Sequence, residues 1–515
     1  MNKPNILWVD DDIDLLTPHI MFLEQKGFVV HRCNSGADAI TFCATQAPDL
    51  ILLDENMPGL SGLETLTALK KANPFSAVIM VTNNQDDYLI NNALGAQVSD
   101  FLLKPVLPNQ VYISIVKVLD QRRLMKEKRV DVFIQENLHL HNRIELANSH
   151  KDFYSLYKDL VIWQLKIDSI EDPTVLDLLH SLFQTANKAF SYFVGNHYES
   201  WLKGENSPVM SHHLLNQKII PATINQKTIV IVLDNLRLDH WLTIKPVFME
   251  HFTVKKEELY MSLLPTVTQY ARNAIFAGMT PLEIKNKFST LWIPDHLEGL
   301  KNEEEAFFFE AYCNKNKLAL KTSYQKINSE TQALKLLKNF NQILKNDLSF
   351  IVCNFIDQLS HANTSNSIVK SMIPNERAFR KAALNWIDNS AINSLIGFIA
   401  KNNIQLIITT DHGSILAKKP SILKGNHDHT DNLRYKHGHR ITAVKKESLT
   451  FNFPENIGLP KNSLASQYIF AKEAYFFTYP NAYHKFASHF QNTYQHGGVS
   501  MEEMMVPFIV LQPKK

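Results

Sequence analysis

In the second half of the chain, acid and imidazole side chains stand where metal chemistry would need them. Asp234 closes the apolar run "TIVIVL", Asp357 follows "SFIVCNFI" and Asp411 follows "IQLIITT". His361 lies four residues after Asp357, His412 adjoins Asp411, and His496 stands in "QHGGVSMEEM". Carboxylate oxygens and imidazole nitrogens are zinc donors, and this set delivered to one sheet edge would hold two cations. Hydrolysis there also needs an attacking group, and "LLPTVTQYARNAIFAG" offers Thr268, just before an apparent helix, with Thr266 as its neighbouring alternative. A threonine hydroxyl is a poor nucleophile at neutral pH. Coordination to a cation favours its alkoxide, and a helix N-terminus behind it stabilises negative charge. Taken singly these residues have plain readings, since an aspartate after a strand often caps a helix. Their combination points to chemistry.

The start of the chain carries a different acidic set. Asp10 and Asp11 follow the first apolar run and Asp54 follows "LILL". In an open parallel sheet such strand ends converge on a ligand crevice, and clustered carboxylates suit Mg²⁺, which keeps waters and accepts a phosphate oxygen. Thr82, ending "AVIMVT", can hydrogen-bond a phosphoryl group, and Lys104 supplies a compensating cation.

The elements that must position these residues divide the chain in three. Residues 1–120 alternate short apolar runs with helical patterns, the signature of a doubly wound parallel sheet. From Pro108 to Pro173 there is neither glycine nor proline, and apolar residues recur at helical spacing, so 121–215 reads as a helical connector or small bundle. The runs "KTIVIVLD", "LSFIVCNF", "IQLIITTD", "AYFFTYP" and "MVPFIVLQ" then predict one large α/β domain over 216–515. Near Asp411, the stretch "KGNHDHTDNLRYKHGHR" (424–440) reads as a solvated basic loop, with Arg434 and Lys436 as contacts for substrate phosphates.

Composition narrows the class. At 515 residues, 45% hydrophobic and 20% charged, the chain has room for two to four domains. A net charge of +2 gives no global basic field for nucleic acid. No basic helix-turn-helix is evident, which argues against a DNA-binding output. Cys33, Cys43, Cys313 and Cys353 form no CxxC pair and fit reduced thiols in a cytoplasm. The N-terminus "MNKPNILWVDDD" turns acidic too early for a signal peptide, and no apolar run is long enough to insert into a membrane.

The first 120 residues resemble the receiver domain of two-component response regulators. That resemblance implies that Asp54 accepts a phosphoryl group, that Asp10, Asp11, Asp54 and the Asn56 carbonyl hold Mg²⁺, and that Thr82 and Lys104 act as the switch pair, with Phe101 as the switch aromatic. Asn83 departs from the pattern, which has a small residue after the threonine. The order of Asp234, Thr268, Asp357-x-x-x-His361, Asp411-His412-Gly and His496-Gly-Gly resembles the alkaline phosphatase superfamily, and "LDNLRLDHW", "PTVTQYAR" and "LRYKHG" look most like its PglZ branch. This implies one Zn²⁺ on Asp357, His361 and His496, and a second on Asp234, Asp411, His412 and the Thr268 oxygen. The spacing from Thr268 to Gly278 matches that family's nucleophile segment and favours Thr268 over Thr266. Because no second phosphate clamp is evident, a diester is the expected substrate.

The three parts in this order resemble response regulators of the type IX secretion system. The implication is a sensor histidine kinase as phosphodonor, a homodimer when phosphorylated, a sigma factor as partner, and zinc-dependent phosphodiesterase action on nucleotides such as cyclic oligonucleotides. The competing expectation is a non-catalytic regulatory protein that docks a transcription partner, its metal site structural or nucleotide-sensing.

Overall fold

The computed structural model describes every residue except 1–2, 73–75, 84–97, 169–171, 295–301, 428–430, 462–465, 481–482 and 515. The described chain forms two compact units, Met1–Glu136 and Asn137–Lys515.

In the first unit, strands β1 (Asn5–Val9), β2 (Val29–Cys33), β3 (Leu50–Asp54), β4 (Val78–Thr82) and β5 (Asp100–Leu103) form a parallel sheet in the order β2-β1-β3-β4-β5. Strands β3 and β4 are buried along their whole length, as expected of continuous apolar runs covered on both faces. The two-residue period of the strands sorts their side chains into two cores. Ile6, Trp8, Leu50, Leu52 and Ile79 pack with Ile20, Leu23, Val111 and Ile115 on one face. Leu7, Val9, Ile51, Leu53 and Met80 pack with Ala39, Leu66 and Leu69 on the other. Because β1 pairs with both β2 and β3, the chain reverses its winding there, and Asp10 and Asp54 emerge at that switch point. This is the doubly wound receiver fold.

A helix over Pro108–Leu146 crosses position 120, and helices His150–Ile167 and Pro173–Leu202 follow it. Ser149 starts the second of these with a reciprocal capping box to Asp152, and Asp172 caps the third ahead of Pro173. Among the described residues, no helix is long and apolar enough to cross a membrane.

The second unit is built on a six-stranded sheet. Its strands are β6 (Thr228–Leu233), β7 (Phe252–Met261), β8 (Thr322–Ile327), β9 (Leu348–Cys353) and β10 (Gln405–Thr409), with a late strand from the chain end. Between β10 and that strand lie β11 (Ile415–Ala417), β12 (Lys419–Ile422), β13 (Lys424–His427), β14 (Tyr435–Thr442), β15 (Ser448–Phe451), β16 (Ser466–Ala471), β17 (Tyr475–Thr478) and β18 (Thr493–Gln495). The late strand is β19 (Met505–Pro513), and the order is β7-β19-β10-β6-β9-β8. Strands β10, β6, β9 and β8 are parallel, while β19 runs antiparallel to β10 and β7. In register, Thr409 pairs with Val232 and Leu233 with Cys353, so the loops after β10, β6 and β9 leave one edge of the sheet side by side. The first two of those segments carry Asp411 and Asp234, and the third leads into helix Phe355–Ser365, whose first turn carries Asp357.

The stretch 424–440 corrects the expectation of a solvated loop. Apart from residues 428–430, which lie outside the described residues, it supplies β13 and β14 of a four-stranded antiparallel sheet in the order β13-β14-β16-β15. Alternation along Tyr435–Thr442 is hidden because both faces are buried over its first half, which puts a lysine and a histidine inside.

Candidate active site and receiver site

Thr268 is the first residue of helix Thr268–Ala277. That helix ends at Gly278, which lies in the left-handed region with φ 57°, a conformation glycine adopts without strain. The Thr268 hydroxyl lies 3.1 Å from His412 Nε2. Thr266, by contrast, is fully buried and structural: its hydroxyl donates to the Gly498 carbonyl (3.2 Å) and accepts from the Gly497 amide (2.9 Å). It therefore fixes the loop that carries His496.

Around Thr268 the acids and imidazoles gather in two overlapping groups, Asp234 with Asp411 and His412, and Asp357 with His412 and His496, each with ligand atoms within 4.8 Å of one another. His361, on the helix that carries Asp357, lies 3.3 Å from Asp357 Oδ2 and 3.5 Å from His496 Nε2. The sequence expectation paired Asp357, His361 and His496; the structure brings these together and adds His412 at their border.

The imidazoles are oriented for ligation. His412 Nδ1 is 3.1 Å from the Gly413 carbonyl and His496 Nδ1 is 3.1 Å from the Thr266 carbonyl. A carbonyl can only accept, so each ring donates through Nδ1 and turns its Nε2 lone pair into the site. Burial, with His412 beside it, holds His496 down at about 3, which keeps the ring neutral. Burial and the adjacent Asp411 carboxylate push Asp234 well above the usual carboxylate range. Burial works the same way on Asp411, but His412 and Arg272 outweigh it and hold that carboxyl low. For Asp357, too, burial is outweighed, here by the His361 hydrogen bond and the neighbouring imidazoles.

Among the described residues, Asp234 Oδ1 and Asp411 Oδ2 have no hydrogen-bond donor, and both are buried. Orphaned carboxylate oxygens facing imidazole lone pairs would be costly in a packed interior, and they suit divalent cations of zinc type. The residues present therefore fit the metals implied by the sequence.

A supporting layer escaped the sequence reading. Arg272, one helical turn after Thr268, is 1% exposed and donates to Asp234 Oδ2 (2.7 Å), Glu305 Oε1 (2.6 Å) and Asn354 Oδ1 (3.1 Å). Its spacing of four from Thr268 on one helix face was the available signal. Asn235, in the left-handed region with φ 63°, donates to Asp357 Oδ1 at 3.3 Å. Ser262 donates to the Asp411 carbonyl at 2.6 Å, and Thr410 to the His412 carbonyl at 2.9 Å.

Arg434 and Lys436 are not where a phosphate contact would be. The Arg434 guanidinium is fully buried, bonded to Glu503 through Nη2–Oε2 (2.5 Å) and Nε–Oε1 (3.1 Å), and also donates to the Lys472 and Tyr475 carbonyls. Glu503 in turn accepts from the Gly498 amide at 2.8 Å, so this pair braces the His496-Gly497-Gly498 turn. Lys436 is 2% exposed, and its ammonium lies 5.6 Å from the centre of the Tyr479 ring, within cation–π range.

In the first unit, Asp10, Asp11 and Asp54 form a third group with ligand atoms within 4.8 Å. Lys104 Nζ sits 3.0 Å from both Asp10 Oδ2 and Asp54 Oδ1. Burial raises the Asp54 carboxyl against the pull of Lys104. Thr82, buried, ends β4, and Phe101 in β5 pairs with Met80. Asn56 and Asn83 are exposed at this edge. Buried Asp10 and Asp54 beside exposed Asp11 give an oxygen-rich, half-open cluster of the kind Mg²⁺ takes.

Compared with known proteins, residues 214–511 match the BREX system PglZ alkaline phosphatase-like domain, 6–116 the response regulator receiver domain, and 123–202 the PorX response regulator linker domain. Among curated proteins, the phosphoglycerate transport system transcriptional regulatory protein PgtA of Salmonella typhimurium is 27% identical over 36% of this chain and 45% of its own length. The transcriptional regulatory protein PrrA of Mycobacterium tuberculosis is 34% identical over 24% of this chain and 52% of its own. The chain thus spans about half the length of these curated relatives. Among solved structures, a response regulator receiver domain from Clostridium thermocellum is 28% identical over 24% of this chain and 98% of that one, with a TM-score of 0.22. An adenylate cyclase from Rhodopirellula baltica is 31% identical over 24% and 94%, with a TM-score of 0.23.

Proposed function

Since the chain belongs to the family of BREX system PglZ alkaline phosphatase-like domains, carried behind a receiver domain and a PorX linker domain in the order of a PorX-type response regulator, we propose that it is a metal-dependent phosphodiesterase controlled by phosphorylation of Asp54. The observation that carries this reading is the placement of the Thr268 hydroxyl, at a helix N-terminus, beside buried carboxylates with orphaned oxygens and imidazoles whose Nε2 lone pairs face inward.

Asp357, His361 and His496 would hold one zinc, and Asp234, Asp411, His412 and the Thr268 oxygen the other. When bound, the zinc ions supply Lewis acidity that favours the threonine alkoxide and the departing oxygen. Thr268 Oγ1 attacks phosphorus, forming the Oγ1–P bond as the bond from phosphorus to the first alcohol breaks; the hydroxyl proton leaves with that alcohol. Water then displaces Thr268, giving a monoester and restoring the hydroxyl. The helix N-terminus stabilises the alkoxide, and Arg272 keeps Asp234 in place through its bonds to Glu305 and Asn354. Arg272 and Arg434 are both taken up by carboxylates, and a diester, with less charge than a monoester, asks for fewer further cations.

In the receiver, phosphorylated Asp54 would be met by Lys104 and Thr82, with Mg²⁺ on Asp10, Asp11, Asp54 and the Asn56 carbonyl. The receiver match supports a sensor histidine kinase as donor; the proposal extends to a phosphorylation-dependent homodimer, a sigma-factor partner, and control of type IX secretion through a nucleotide diester such as a cyclic oligonucleotide.

The test is metal analysis of the purified chain together with hydrolysis of bis-p-nitrophenyl phosphate. Wild type should carry zinc and turn over, and Thr268→Ala should lose about 10³-fold or more in kcat while keeping the metal. A zinc-loaded wild type that cleaves no diester, with Thr268→Ala behaving identically, would sink the catalytic reading and leave a binding protein.

A further inference from the structure

Beside the loop that carries Asp411 and His412, and sharing none of its ligand side chains, the second unit contains a partly open cavity. Tyr157 and Phe183, from helices His150–Ile167 and Pro173–Leu202, give the cavity its aromatic lining, and Asn187, Arg237, Glu376 and Glu502 give it polar groups. Its polar lining is built in: Asn187 is 3% exposed and Arg237 2%.

The charges in and behind this lining do not balance. Arg237 is answered by Asp239 (2.9 Å) and by Glu376, and Arg380 by Asp239 (2.8 Å) and Asp168 (2.7 Å). Three carboxylates therefore already face two guanidinium groups before Glu502 is added. Lys418, Lys419 and Glu473 also line the cavity, and with all of them counted five carboxylates face four cations. The Glu502 carboxylate takes its side-chain hydrogen bonds from one neutral group, the Asn187 amide, at 3.2 and 3.0 Å. Burial pushes this carboxyl up to about 7, the direction expected of an acid lacking a bonded cation. An anion would add to the excess, and a bare metal ion would gain nothing from the aromatic wall.

We propose that this cavity binds a small organic cation with a planar amidinium or guanidinium head and an apolar body. The head donates to the Glu502 carboxylate alongside the Asn187 amide, a charge-assisted hydrogen bond, while the body lies against Tyr157 and Phe183. The occupant reaches the neighbouring loop directly. Arg237 Nη1 donates to the Ser414 carbonyl at 3.3 Å, and the Glu502 carbonyl packs so closely on Gly413 that an added Cβ would sit 2.0 Å from it.

Benzamidine titrated into the full-length chain by calorimetry tests this without reference to hydrolysis. Saturable binding at one site per chain is expected, at least tenfold weaker in Glu502→Gln, unchanged in Thr268→Ala, and weakened in Phe183→Trp, which narrows the cavity but keeps its charges. Absence of saturable heat, tighter binding of benzoate, or a Phe183→Trp variant that binds as well as wild type would overturn the proposal. So would a folded Glu502→Gln variant with wild-type affinity.

Discussion

Replacing Arg434 by methionine separates a structural arginine from a substrate contact. Arg434 and Glu503 are each 0% exposed, their guanidinium and carboxylate joined by two hydrogen bonds of 2.5 and 3.1 Å. Removing one partner of such a pair strands a buried charge and costs about 3–5 kcal/mol. Two carbonyls, of Lys472 and Tyr475, also lose their donor. Glu503 keeps the Gly498 amide (2.8 Å) and the Ser500 hydroxyl (2.7 Å). Those two bonds place the expected loss toward the lower end, about 3 kcal/mol. Urea unfolding of wild type, Arg434→Met, Glu503→Gln and the double variant, followed by tryptophan fluorescence, gives the coupling between the two positions. Both single variants should unfold at lower urea, and the double variant should lose less than their sum. An Arg434→Met protein with an unchanged midpoint and a tenfold higher KM for a diester would refute the reasoning and restore Arg434 as a phosphate contact.

Stability should also depend on pH through Glu502. Its folded value, about 7, lies above the ordinary 4.5, so its contribution is fully present below pH 4.5 and is lost as pH rises through 7. Urea titrations at pH 5 and pH 8 should show wild type losing at most about 3 kcal/mol relative to Glu502→Gln; parallel behaviour would count against an unpaired carboxylate. Chelation should abolish diester turnover and added zinc restore it, and Asp234→Asn should lower the zinc content found by metal analysis, since its Oδ1 is one of the orphaned oxygens. Acetyl phosphate should shift wild type, but not Asp54→Ala, on a phosphate-affinity gel, because the Lys104 ammonium lies 3.0 Å from the Asp54 carboxylate to meet the phosphoryl group.

What the sequence displayed, and what it hid, follows from how each element is buried. β3, β4, β6, β9 and β10 are covered on both faces, so they read as apolar runs, and each ends on or just before a polar residue at the sheet edge. The carboxylates of both sites were visible for that reason. β7 was missed because it is the sheet edge, and its middle, "TVKKEE", is largely exposed and charged. β14 reads as a loop because its lysine, arginine and histidine neighbourhood is buried and satisfied by partners distant in sequence, Glu503 among them. The same blindness to long-range pairing hid Arg272 and Asn235, whose roles rest on contacts 38 and 122 residues away. The spacing to Gly278 favours Thr268 over Thr266 in the sequence, and the bonds from Thr266 to Gly497 and Gly498 show what the other threonine does.

The proposal that Thr268 is the nucleophile has a stereochemical consequence. A chiral phosphorothioate diester hydrolysed in isotopically labelled water reports whether phosphorus is displaced once or twice. Attack by Thr268 followed by water makes two in-line displacements, and the account predicts net retention of configuration. Net inversion would mean that water attacks the diester directly, and would contradict a nucleophilic role for Thr268.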